Sequence, residues 1–281
     1  MSVTNIGIKQ ALLTFRGAAE ATDNLTQALS TGRKVDSARD DPIAWVKINK
    51  GHSNFKHLES IKTSLSEVAL SIRIADQSMQ TISTYIDQMK AELLQIRKTY
   101  PPYPPGSEQR IRLLRSFNGF RKLIEQLTIP PESEGAQRLM AAPAQVPEAG
   151  PLNVVVSETG FRATIKAQEV HTGPTGLDIP ELVDDATDAE IDAAAENLSR
   201  AQATLETKRS ALAVDAATVS RYEEFNKDMA QFHRVGTEKL QSTDNAEVSA
   251  QLKSSELRAT LALESIKSLT GVHSLFSELL N

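Results

Sequence analysis

Residues Leu58 to Ile96 read LESIKTSLSEVALSIRIADQSMQTISTYIDQMKAELLQI, and the spacing of their apolar side chains decides the fold. Leu58, Ile61, Leu65, Val68, Ile72, Ala75, Met79, Ile82, Ile86, Met89, Leu93 and Ile96 recur at alternating steps of three and four, so every a/d position of the heptad is apolar. A helix of that length spans roughly 60 Å. No compact core needs so long a seam, and the pattern predicts a rod helix buried against partner helices. Asp41 followed by Pro42 marks the start of this helical region, because a carboxylate can accept from the free backbone N–H groups and proline at the first helical position loses nothing. The prolines at 101, 102, 104 and 105 predict its end at Tyr100.

The same rhythm marks both ends of the chain. Ile8, Ala11, Phe15, Ala18, Leu25 and Leu29 follow it at the front, with Thr22 as a polar lapse. At the back, Val248, Leu252, Ala259, Ala262, Ile266, Leu269, Phe276 and Leu280 follow it, with Ser255 and His273 as lapses. A narrow a/d stripe requires another helix to bury it, so the two ends are paired with each other or reserved for neighbouring copies. Ordering such arms costs about 1 to 2 kcal/mol of backbone entropy per residue, against about 1.5 to 3 kcal/mol for each fully buried apolar side chain. The arms are therefore expected to be marginal in a monomer and to fold on assembly.

Between these elements, Ile6 to Leu29 reads as the first helix, with Gly32 past its end. Ser107 reads as the cap of a helix over Glu108 to Leu127. Thr128 to Pro151 has the composition of a loop, and Leu152 to Val156 with Phe161 to Ala167 reads as a hairpin joined across Ser157 to Gly160. Phe161, Ala163, Ile165 and Ala167 alternate with Arg162, Thr164 and Lys166. Thr187 and Glu190 form a capping box for another long helix, whose heptad (Ile191, Ala194, Leu198, Ala201, Leu205, Leu212, Val219, Tyr222, Met229) lapses at Lys208, Asp215 and Asn226. Asp244 and Glu247 begin the last helix similarly. The expected fold is mainly α: long antiparallel coiled-coil helices from both termini with a small central β-hairpin.

Composition agrees with rods, since aromatic residues make up 5% of the 281 residues and there is one Trp. The net charge of −5 gives no global field for a nucleic-acid backbone. With no cysteine there is no disulfide framework, thiolate metal site or cysteine nucleophile. No apolar run is long enough to span a membrane, and the first fifteen residues lack the layout of a cleaved secretory signal.

Candidate chemistry is sparse. The five histidines, at 52, 57, 171, 233 and 273, include no pair spaced to place two ligands on one helix face. Asp36, Asp40 and Asp41 lack the alternating oxygen ligands of a calcium loop and read as turn and cap residues. Asp184, Asp185 and Asp188 stand at a helix start, where negative charge meets the dipole favourably. Neither catalytic residue nor cofactor or metal site is expected, and the chain reads as a non-enzyme. The lone Trp45 reads equally as an interface anchor or as local core.

The turn Leu29-Ser30-Thr31-Gly32-Arg33-Lys34-Val35-Asp36-Ser37-Ala38-Arg39-Asp40-Asp41-Pro42, thirty residues in and followed by a long heptad helix, resembles the N-terminal signature of bacterial flagellins. Gly32, Arg33, Asp36, Asp40, Asp41 and Pro42 carry that signature. The tail from Asp244 through Ala246-Glu247-Val248 to Ser274-Leu275-Phe276-Ser277-Glu278-Leu279-Leu280 is similar to the flagellin C-terminal region. The resemblance implies a subunit of a helical homo-polymer, the extracellular flagellar filament, exported without a cleaved signal through the flagellar type III channel. It also implies an export chaperone, hook-associated junction proteins and a filament cap as partners. Residues 1–41 with 244–281 would form the inner coiled coil, 42–127 with 187–243 the rod, and 128–186 a short outer segment. The stretch Asp40-Asp41-Pro42-Ile43-Ala44 is closer to the hook-filament junction protein of the same superfamily, which is the alternative reading, with an unrelated coiled-coil adaptor behind it. Gln88 and Lys90 stand where arginines are expected in the segment recognised by an innate immune receptor, so no such recognition is expected.

Overall fold

A computed structural model describes residues 2–98 and 103–279. It contains α1 (Ser2–Thr31), α2 (Pro42–Lys98), α3 (Glu108–Leu127), α4 (Glu134–Met140), β1 (Leu152–Val155), β2 (Arg162–Ile165), α5 (Asp188–Gln241) and α6 (Asn245–Leu279). The expected helix end at Tyr100 lies outside the described residues. The fold is mainly α, with long antiparallel helices from both ends of the chain and one small antiparallel hairpin. The chain divides into two compact units, residues 1–55 with 231–281 and residues 56–230, and α2 and α5 contribute to both.

In the unit of residues 56–230, the heptad over Leu58 to Ile96 faces inward. Leu65, Ala75, Met79, Ile82, Ile86, Met89 and Ile96 have no exposed surface, and only Val68 is partly buried. Its antiparallel partner is α5. Arg97 pairs with Asp192 (3.0 Å), Arg209 with Asp76 (3.0 Å), and Ser66 donates to Glu223 (2.9 Å), so the partner's number falls as α2 advances. Leu114, Phe117 and Ile124 of α3 close the same core. The reciprocal capping box at the start of α5 is complete: Thr187 N and Oγ1 donate to Glu190 Oε2 (2.6 and 2.8 Å), and Glu190 N donates to Thr187 Oγ1 (3.3 Å).

The three lapses in the α5 heptad have a common cause. Lys208 Nζ donates to the Glu169 carbonyl, Asp215 Oδ2 accepts from Lys166 N (3.3 Å), and Asn226 Nδ2 donates to the Val156 carbonyl (2.9 Å). All three hold the main chain of the hairpin segment, which has no helix partner to satisfy it. Burial lowers the Lys208 pKa, and the nearby Glu169 only partly offsets that.

Several expectations need correction. The Ser107 side chain makes no cap; only its carbonyl enters the helix, accepting from Ile111 N (2.9 Å). The α3 start is instead fastened by Arg110, fully buried, whose Nη1 donates to the Tyr103 carbonyl (2.9 Å) and to Asp188 (2.7 Å) while Nη2 donates to the Ala186 carbonyl. The supposed loop over 128–151 contains α4, which Ser133 caps by accepting from Ala136 N (3.2 Å) and which buries Ala136, Leu139 and Met140. Seven residues are too few for periodicity to register. Trp45 lies within the uninterrupted α2 and is half-buried. In β2 the burial of the alternating face fades toward the turn: Ile165 is buried, Ala163 partly so, and Phe161 just before the strand is 60% exposed.

Candidate functional site

The sequence places its candidate site on the terminal seams and on the turn after Leu29, and the unit of residues 1–55 with 231–281 brings the two together. The helices α1 and α6 run antiparallel: Gly7 approaches the Leu269 side chain, while at the other end Arg33 bridges Ser242. On α1, Ala18 is buried and Ile8, Ala11, Phe15, Leu25 and Leu29 are half-buried, as is the lapse Thr22. On α6, Ala262 is buried and Val248, Leu252, Ala259, Ile266 and Leu269 are half-buried. Side chains of the same helices off this stripe stay largely exposed, among them Leu13 at 59% and Leu257 at 61%. The Phe276 side chain and Leu280 lie outside the described residues. A two-helix pair closed by small residues at its tightest points buries little apolar surface of its own.

The turn is built from local hydrogen bonds. Gly32 ends α1 with a positive φ of 66°, where a β-carbon would be strained. Its carbonyl accepts from Thr243 N (3.2 Å), and Lys34 N donates to the Gln241 carbonyl (2.7 Å), so the link from α1 and the link into α6 pair as a short ladder. Val35, 3% exposed, is the apolar peg of the turn. Only the tertiary structure identifies it, because a single valine in a polar stretch carries no periodicity.

Asp40 organises the residues that follow. Its Oδ2 accepts from Asp36 N (3.0 Å), Ser37 N (2.8 Å) and Ser37 Oγ (3.1 Å), and Arg33 pairs with Asp36 at 3.2 Å. Hydrogen bonds from the Asp36 and Ser37 backbone hold the Asp40 carboxyl below its ordinary pKa against its desolvation, with the Ser37 hydroxyl and the Arg39 charge adding to the effect. Asp41 Oδ1 then accepts from Ile43 N and Ala44 N, both at 2.9 Å, and caps α2 ahead of Pro42. At the start of α6, Asp244 Oδ1 accepts from Ala246 N (2.9 Å) and Glu247 N (3.3 Å). Every aspartate of the cluster thus has a turn or cap task. No group of three or more histidines or carboxylates among the described residues is arranged to hold a metal ion, and no described helix is long and apolar enough to cross a membrane.

Two members of the second acidic group, Asp184 and Asp188, are likewise engaged. Asp184 pairs with Arg115 (2.6 Å), and Asp188 lies between Arg97 and Arg110, both at 2.7 Å. The Arg110 hydrogen bond is the main reason the Asp188 pKa falls below its usual value. The terminal unit thus presents an apolar seam, a fixed turn and a set of exposed apolar side chains.

Comparison with known proteins gives three findings. Residues 3–128, which span α1, the turn, α2 and α3, match the family model described as the bacterial flagellin N-terminal helical region. Flagellin FljO of Caulobacter vibrioides is 23% identical over 272 residues, covering 94% of this chain and 92% of that protein. The crystal structure of Bacillus cereus flagellin matches with a TM-score of 0.48 at 14% identity, covering 58% of this chain and 88% of that one.

Proposed function

We propose, from the premise that this chain is a flagellin-family protein, that it polymerises as a structural subunit of the bacterial flagellar filament that drives swimming. The observation that carries this reading is the α1–α6 pair, whose seam turns inward while Leu12, Leu13, Leu257, Leu261 and Leu263 remain exposed. Apolar side chains repeated along the outside of a thin helix pair are stable in water only if further copies cover them. Contacts of one surface with a different surface on the next copy, related by a rotation that does not close, generate an open helical polymer.

On this reading, residues 1–41 with 244–281 form the inner coiled coil, 42–127 with 187–243 the rod, and 128–186 the short outer segment. The seam from Ile8 to Leu29 and from Val248 to Leu280 carries self-assembly, and the turn from Gly32 to Pro42 fixes the hand-over from inner helix to rod. The subunit leaves the cell by the flagellar type III route without a cleaved signal, accompanied by an export chaperone, and meets junction proteins and a cap at the two ends of the filament. Flagellins are structural proteins, and no residue here is assigned to catalysis.

Electron microscopy of the purified chain after seeding with filament fragments tests the reading, with long helical filaments expected. Removal of residues 248–281 should abolish them while circular dichroism retains the signal of α2, α3 and α5. Discrete rings or short stacks would instead favour the hook-filament junction role, to which the sequence from Asp40 to Ala44 points. Failure of the full-length chain to assemble at all would overturn both.

A further inference from the structure

Phe161 stands on the face of the hairpin that further along buries Ile165, yet it is 60% exposed. Its backbone is fixed. Phe161 N donates to Ser157 Oγ (3.2 Å), its carbonyl accepts from Val156 N (2.8 Å), and Gly160, at a φ of 80°, donates to the Ser157 carbonyl (3.0 Å). The ring is therefore held out from the tip of the hairpin by a turn whose own hydrogen bonds are satisfied. Arg162 beside it is exposed and has no ion-pair partner among the described residues.

Elsewhere in the same unit, α2 and α3 leave an open groove of about 530 Å³ that leads into Pro130 and Pro131. Ile74, Tyr85, Leu123 and Leu127 form its apolar wall and Gln77, Ser78, Thr81 and Gln126 its polar part, Tyr85 being packed against Phe120 with ring centroids 5.6 Å apart. Leu123 is 39% exposed there. Glu132 stands at the rim, exposed and without an ion-pair partner among the described residues. The exposed Phe161 ring beside a positive charge thus matches the apolar wall of that groove beside a negative one. The two surfaces are different patches of one chain, which is the arrangement that propagates without closing.

We propose that Phe161 and Arg162 of one copy dock into the α2–α3 groove of the next, Phe161 against Leu123 and Leu127 and Arg162 against Glu132. This interface rests on the filament reading for its partner, a second copy of this chain. Charge complementarity selects that occupant, and loss of either half weakens the contact.

Two measurements test it. Because the chain has no cysteine, equal amounts of a Phe161→Cys chain and a Leu123→Cys chain can be mixed, assembled and oxidised. A disulfide-linked pair joining position 161 to position 123 is expected, and its absence from any assembly that forms overturns the interface. Phe161→Ser and Glu132→Arg should each raise the critical concentration for seeded growth about tenfold, the scale of a single interface anchor. Arg162→Glu combined with Glu132→Arg should bring it back to within about threefold of the parent. Unchanged growth of the single variants, with unchanged thermal unfolding, or no recovery in the double variant, rejects the proposal. If the unmodified chain forms only discrete assemblies, the filament reading fails by itself, and the cross-link still decides the contact.

Discussion

Asp40 shows how much of the turn rests on one carboxylate. Three donors converge on a single oxygen, and they lower its pKa from the ordinary value of 3.8. A carboxyl depressed in the folded state contributes stability above its unfolded pKa and loses that contribution as pH falls through the folded one. The turn should therefore be insensitive to pH above about 4 and loosen below that. Asp40→Asn should remove this acid dependence, as read by backbone NMR shifts of Asp36 and Ser37 across an acid titration. Asp41 acts differently: its two cap bonds are local to α2, and Asp41→Ala should cost about 1 kcal/mol in denaturant unfolding. Arg110 is the third decisive residue. Replacing this fully buried cation by alanine strands the Ala186 carbonyl, takes the Arg110 contact from Asp188 and opens space beneath α3. A loss of about 1 to 3 kcal/mol is expected, the cost of leaving a buried carbonyl unsatisfied, since Asp188 is half-exposed and keeps Arg97.

At the scale of elements, the lapses in the α5 heptad carry as much information as its matches. Lys208, Asp215 and Asn226 interrupt an apolar seam at the places where the hairpin segment presents main-chain groups. Polar residues at seam positions commonly fix register at some cost in stability. Asn226→Leu should leave the helical content of α5 unchanged while releasing the hairpin, seen as faster amide exchange over residues 152–165. The sequence disclosed that the seam is broken at these points but not by what. The partners are carbonyls and an N–H, and backbone groups leave no trace in side-chain patterning. Short α4 was hidden for a related reason, since its seven residues make only about two turns, a single repeat with nothing to recur. Ser107 misled in the opposite direction, being a good cap residue whose side chain the local turn does not use.

Across the whole molecule, the two helix systems differ in depth. In residues 56–230 the long seam is covered by α5, α3 and the hairpin, and many of its side chains have no exposed surface. In α1 and α6 only Ala18 and Ala262 are buried among the described seam residues, and the rest are half-exposed. Half-buried side chains return less than the roughly 1.5 to 3 kcal/mol of full burial, while each ordered residue still costs about 1 to 2 kcal/mol of backbone entropy. Amide exchange in the isolated chain should therefore be fast over residues 6–29 and 248–270 and slow over 61–96 and 191–219. After polymerisation the terminal segments should become protected too. Strong protection of the termini in a monomer would show that the pair is stable without neighbours.

By itself the sequence determined the rods: their existence, approximate lengths, buried faces and two of their caps, because heptad spacing and capping chemistry are properties of consecutive residues. It also identified the signature turn from Gly32 to Pro42 by resemblance and by its density of short polar side chains. Only the tertiary structure decided which seam lies against which, that Val35 pegs the turn, that Arg110 fastens α3 to α5, and that Phe161 leaves the core its alternation promised. Those outcomes depend on where distant segments meet and on how far a core extends. A periodicity specifies which side of an element is apolar, but burial depends on whether another element reaches it.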